Sequence, residues 1–128
     1  MMEFNYDKYV TNYQGVDWCA CSGGFIAWRR GTGDNVELLH IKTAEQGRGY
    51  GRRLVYRMLE MLKGRPPYHS VFGFTREDNE GAQAFYGKLG FDLTPVQGVY
   101  KDGTAIFFHA PYSRLLTKQS EYEQEQKQ

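Results

Sequence analysis

Apolar side chains recur at helical spacing in two stretches of the chain, and six shorter runs read as strands. From Arg52 to Leu62, the residues Leu54, Val55, Met58, Leu59 and Leu62 form one stripe, with Arg52, Arg53, Arg57 and Glu60 off it. That spacing predicts an amphipathic helix, which Gly64-Arg65-Pro66-Pro67 brings to a stop. A second helix is predicted over Asn79 to Leu89, with Ala82, Phe85, Tyr86 and Leu89 on its stripe and Asp78 or Asn79 as cap. Gly90 supplies the left-handed residue that closes a helix, and Phe91 packs back after it.

The strand-like runs are Val16 to Ser22, Phe25 to Arg30, Asn35 to Lys42, Ser70 to Thr75, Phe91 to Tyr100 and Thr104 to Ala110. Gly23-Gly24 joins the first two as a hairpin, and Lys101-Asp102-Gly103 joins the last two. Asn35 to Lys42 is apolar on both faces apart from Glu37 and His40, the pattern of a strand covered on both sides. The predicted order is therefore β-β-β-α-β-α-β-β, an α/β fold with a mixed, mostly antiparallel sheet flanked by helices. The first fifteen residues, aromatic and polar, leave room for one short helix. Residues 117–128 carry one aromatic and no aliphatic side chain, which predicts a disordered tail following a single domain over residues 1–116.

Composition narrows the function classes. The 128 residues are 41% hydrophobic and 24% charged with a net charge of +1, an ordinary globular balance rather than that of a basic nucleic-acid binder. No apolar run is long enough to span a bilayer, and Met1-Met2-Glu3-Phe4-Asn5-Tyr6-Asp7 does not read as a secretory leader. The expectation is a cytoplasmic protein without membrane or nucleic-acid partners. Cys19 and Cys21 are too close for a useful disulfide and lack a histidine pair for zinc, so they read as packing residues, and no metal is expected.

Candidate chemistry concentrates in Glu45-Gln46-Gly47-Arg48-Gly49-Tyr50-Gly51-Arg52, between a buried strand and an amphipathic helix. Three glycines in five positions let backbone amides approach a ligand. The first helical amides have no internal partners and lie at the positive end of the helix dipole, which suits a pyrophosphate. No Gly-Lys-Ser/Thr follows, and the next strand ends at Thr75 rather than an acidic residue, so neither a Walker loop nor a dinucleotide fingerprint is present.

The chain resembles the GCN5-related N-acetyltransferase (GNAT) superfamily over about residues 24–110. Gln46, Gly49 and Gly51 match its Gln/Arg-x-x-Gly-x-Gly/Ala signature. Asn79, Ala82, Phe85, Tyr86, Gly90 and Phe91 match its second signature, Asn-x-x-Ala-x-x-Phe-Tyr-x-x-x-Gly-Phe. The region before the central strand is shorter than usual for the family, which leaves the acceptor site open or completed by a second subunit. The resemblance implies acetyl-CoA as cosubstrate, bound by Leu39, His40, Ile41, Gln46, Gly47, Arg48, Gly49, Tyr50, Gly51, Arg52, Asn79 and Tyr86. It also implies acetyl transfer by direct attack to a primary amine, on a small molecule or a protein. Tyr86 is expected to be the acid that protonates the departing thiolate.

Glu37 is expected to be the base. Strict strand alternation puts it on one face with Asn35, Leu39 and Ile41, and His40 on the other. His40, His69 and His109 read as structural. Two alternatives stand beside this reading: a non-catalytic acetyl-CoA-binding or protein-interaction module on the same scaffold, and an acyltransferase of aminoacyl-tRNA suggested by Arg48, Arg52, Arg53 and Arg57. Edge strands of the terminal hairpin offer a route to a homodimer.

Overall fold

The computed structural model describes residues 15–21, 23–45, 47–63 and 68–127. The helix expected before residue 15, the helix stop at 64–67 and Gln46 lie outside them. The chain divides into two compact units, residues 1–67 and 68–128.

The first unit is built on an antiparallel meander of β1 (Val16–Cys21), β2 (Gly24–Arg30) and β3 (Asn35–Thr43), followed by helix α1 (Tyr50–Leu62). The Gly23-Gly24 hairpin forms as the sequence implies. All five residues of the predicted α1 stripe are buried, each 6% exposed or less, and Tyr56 joins them. They pack on the meander against a face that includes Ile26, Trp28, Val36 and Leu38, also buried. Cys19 lies opposite Ile26 and is buried with them; burial raises its thiol pKa, against the opposing pull of Arg57 on α1.

β3 departs from the expected double cover. Val36 and Leu38 are buried, whereas His40 and Lys42 are exposed and Leu39 and Ile41 half-buried. The ladder also departs from strict alternation: Trp28 pairs with Leu38 and Ala27 with His40, leaving Leu39 as a bulged extra residue. Directly opposed residues share a face. His40 therefore lies with Glu37, the partner of Arg29, while Ile41 crosses to the face of Leu38 and Ile26.

The second unit contains β4 (Ser70–Arg76), α2 (Glu80–Lys88), β5 (Asp92–Tyr100), β6 (Gly103–Pro111) and α3 (Tyr112–Gln126). β6 pairs antiparallel with both β4 and β5. Val71, Gly73, Phe108 and Ala110 lie on the face of this ladder that carries Tyr86 of α2. Gly90, at φ +100°, ends α2 in the left-handed conformation the sequence indicates.

Residues 117–126 of the expected tail instead form the body of α3. A helix needs only a narrow docked stripe, and here Leu115 and Gln119 supply it at 1% and 4% exposure. Arg114 fixes its start, donating to the Gly90 carbonyl oxygen and to Asp92 Oδ2, both at 3.1 Å.

Candidate acetyl-coenzyme A and acceptor site

The loop before α1 is pinned at its ends by packing and backbone bonds. Ala44 N donates to the Gly23 carbonyl at 2.7 Å. The Tyr50 ring lies so close over Gly23 that a Cβ there would meet it at 2.6 Å, so glycine is required. The Arg53 guanidinium lies over the Tyr50 ring, 5.8 Å from its centre. Gly47 and Gly49 both hold φ +77°, a backbone that side chains resist, although a Cβ at either would meet nothing within 4 Å. The glycines thus serve the path of the backbone, not the avoidance of a protein neighbour.

That path gives α1 an unusual start. Its cap is Gly49, which has no side chain to accept from the first-turn amides, and the first turn carries no acidic residue. Arg52 and Arg53 follow immediately, both exposed, and Arg48 pairs with Glu45 at 3.0 Å in solvent. First-turn amides with no side-chain cap, the positive end of the dipole and nearby guanidinium groups are features that favour a multiply charged anion.

Glu37 is 17% exposed and accepts a 2.8 Å bond from Arg29 Nε, its cross-strand partner. His40 stacks on Phe25 with ring centroids 5.6 Å apart. Partial desolvation, and then the charge of Lys42, hold the His40 pKa below the ordinary histidine value, although the residue as a whole remains exposed.

In the second unit, Tyr86 is 7% exposed and stacks face to face on Phe108, centroids 3.7 Å apart, with the Phe91 ring edge-on at 5.5 Å. Burial pushes its hydroxyl well above the ordinary tyrosine range, so the group stays protonated and donates rather than accepts charge. Asn79 caps α2, its Oδ1 accepting from Ala82 N at 3.0 Å. His109 stacks on Phe107 at 4.7 Å and lies 3.4 Å from Thr94 Oγ1, a structural setting, and the His69 carbonyl accepts from Tyr112 N. Among the described residues no group of three or more His, Cys, Asp or Glu could hold a metal, and no helix is long and apolar enough to cross a membrane.

Sequence reasoning located the glycine loop, Tyr86 and Glu37, but missed three features: the Tyr50–Gly23 packing, the Arg29–Glu37 pair and the bulge at Leu39. The pair was open to discovery, since Arg29 and Glu37 flank a short turn on antiparallel strands. The bulge had no such signal, because Leu39 is not a glycine and the described non-glycine residues have no positive φ.

A helix start capped by a glycine, with no side-chain cap and with arginines in its first turn, is of the kind that suits an anion. Residues 5–91 match the Acetyltransferase (GNAT) family, and the chain belongs to that family. The match runs across both compact units. Among curated proteins, the chain is 35% identical over 65 residues to the N-alpha-acetyltransferase RimI of Mycobacterium tuberculosis, covering 51% of this chain and 39% of that relative. Among solved structures, the ribosomal-protein-S18-alanine N-acetyltransferase from Escherichia coli superposes with a TM-score of 0.65 at 22% identity, over 87% of this chain and 79% of that one. A streptothricin acetyltransferase homologue from Bacillus anthracis, solved with acetyl coenzyme A, gives a TM-score of 0.60 at 26% identity, over 69% of this chain and 55% of that one.

Proposed function

We propose that the chain transfers an acetyl group from acetyl-CoA to a primary amine by direct attack in a ternary complex, and that the acceptor is an α-amino group. The observation that carries the first part is the start of α1, whose uncapped amides and adjacent Arg52 and Arg53 suit the diphosphate of a coenzyme. Leu39, His40 and Ile41 would contribute backbone groups to the pantetheine arm and acetyl carbonyl, and Gly47 to Arg52 would hold the phosphates. The α-amino acceptor draws on the kind of substrate named for RimI and the ribosomal-protein enzyme. It also has a physical advantage. Freeing an α-amine of pKa about 7.8 at pH 7 costs about 1 kcal/mol, against about 4.6 kcal/mol for a lysine ammonium near 10.4.

Amide formation requires that the nitrogen shed two protons, one of which ends on the departing sulfur. In this reading Tyr86 donates a hydrogen bond to the thiolate as the carbon–sulfur bond breaks, and its protonated state suits that task. Its high pKa makes complete proton loss to the sulfur unfavourable, so the proton must be replaced in concert from the nitrogen. The same burial of Tyr86 and the Arg29–Glu37 pair also favour a second reading, a coenzyme-binding module without turnover.

Calorimetry with acetyl-CoA and thiol release over an amine panel separate the two. The expected result is micromolar acetyl-CoA binding and acceptor-dependent thiol release, with Tyr86→Phe lowering kcat about a hundredfold at unchanged coenzyme affinity. Binding without turnover on any amine favours the module, and no binding removes the coenzyme reading altogether.

A further inference from the structure

The bulge at Leu39 changes which side chains share the face of the β2–β3 ladder. Arg29 and Ala27 are successive residues on one face of β2, and their partners are Glu37 and His40. The bulge therefore sets Glu37 and His40 side by side, where unbroken alternation would have separated them. Phe25, the next residue on that face, stacks on the imidazole. Among the described residues of β1, β2 and β3, the charged groups on this face are Arg29, Glu37 and Lys42. Arg29 already engages the Glu37 carboxylate at 2.8 Å, so that oxygen is occupied by a partner within the ladder. His40 lies beside the pair and is exposed.

We infer that His40, rather than Glu37, takes the proton from the incoming amine; the inference rests on the acetyl-transfer reading above. The ammonium gives one proton to an imidazole nitrogen, and the nitrogen lone pair then forms the bond to the thioester carbon. The carbon–sulfur bond breaks and the second nitrogen proton ends on sulfur. His40 returns its proton to solvent, so one proton is released per amide formed. A neutral imidazole supplies the acceptor nitrogen this needs. The lowered pKa of His40 favours the neutral imidazole at pH 7. An α-ammonium lies a little over one decade above an ordinary histidine, whereas a lysine ammonium lies about four decades above it. That gap belongs to the amines themselves, so the α-amine is the more readily deprotonated acceptor whichever group takes the proton.

The test is steady-state kinetics on two peptide sets, one with free N-terminal Ala, Ser or Met and no lysine, the other N-acetylated with a single lysine. Wild type, His40→Gln, His40→Ala and Glu37→Gln are compared from pH 5.5 to 9, with acetyl-CoA affinity measured on each. His40→Gln is expected to lower kcat/KM about a hundredfold at pH 7 while leaving coenzyme affinity within threefold of wild type. The rate of wild type rises with pH as His40 loses its proton, and in His40→Gln that limb is replaced by one at higher pH, near the α-amine's own pKa of about 7.8. Added imidazole restores part of the rate of His40→Ala, and Glu37→Gln loses less than His40→Gln.

Activity of His40→Gln within threefold of wild type, or an acidic limb at the same pH as in wild type, overturns the assignment while acetyl transfer itself stands. Wild type that binds acetyl-CoA yet prefers the lysine peptides, or uses neither set, overturns the α-amine acceptor for which this proton transfer is drawn. Failure of wild type to bind acetyl-CoA removes the underlying reading, and this one with it.

Discussion

The two helices that follow β3 and β4 begin in opposite ways. α2 satisfies itself: Asn79 accepts from the Ala82 amide at 3.0 Å, and Glu80 places negative charge in the first turn. α1 has a left-handed glycine at the cap, no side-chain bond, no acid, and arginines at its third and fourth positions. A cap of the first kind contributes about 1 kcal/mol to a helix, and favourable first-turn charge a few tenths more. The start of α1 forgoes both. Where a helix start lacks the side-chain cap its neighbour has, it leaves room for a ligand, and the phosphates of a coenzyme are the occupant proposed above.

The sharpest way to break this comparison is to give α1 the charge that α2 already has. Arg52→Glu puts an acid at the third helical position. Measured by thermal or denaturant melting, its stability is expected to stay level or rise by about 0.3–1 kcal/mol. Acetyl-CoA affinity, measured by calorimetry, is expected to fall by more than tenfold, since a cation is replaced by an anion at the phosphates. Equal affinity in both proteins would mean that the start of α1 does not hold the coenzyme.

The complementary change removes the cap of α2. Asn79→Ala is expected to destabilise the protein by about 1 kcal/mol in denaturant titrations, because the Ala82 amide loses its acceptor. Coenzyme affinity is expected to change less than threefold. A large loss of affinity with little loss of stability would give Asn79 the direct role in coenzyme binding that the sequence signature suggests, and would reverse the distinction between the two starts.

Much of this contrast was legible in the sequence, for reasons that also explain where legibility stopped. The stripe of Leu54, Val55, Met58, Leu59 and Leu62 and the glycine run before it are local patterns, and each became the element it predicted. The cap at Asn79 and the reversal at Gly90 are local too. α3 was not legible, because its order comes from tertiary docking: two buried residues, Leu115 and Gln119, and the anchorage of Arg114 on Gly90 and Asp92. The face of His40 depended on one extra residue in one strand of a ladder. A period of two carries no information about where such a residue is inserted, and a single slip transfers every later side chain to the other face.

The smallest effect concerns a residue about half a turn beyond the middle of α2. Tyr86 is as internally satisfied as its helix start, packed against Phe108 and Phe91, and burial raises the pKa of its hydroxyl. In the unfolded chain the same group ionises near pH 10. Between those two values the folded protein holds a proton that the unfolded chain has released, so stability falls as pH rises through about 10. Tyr86→Phe has no such proton to hold. The difference in unfolding free energy between wild type and Tyr86→Phe should therefore shift against wild type by about 0.8 kcal/mol between pH 8 and pH 10.5. The other nine tyrosines are common to both proteins and cancel in that difference. A flat difference would mean that the Tyr86 hydroxyl titrates as in water. The aromatic stack would then not isolate it from solvent, and the contrast between an open helix start and a closed one would rest on the caps alone.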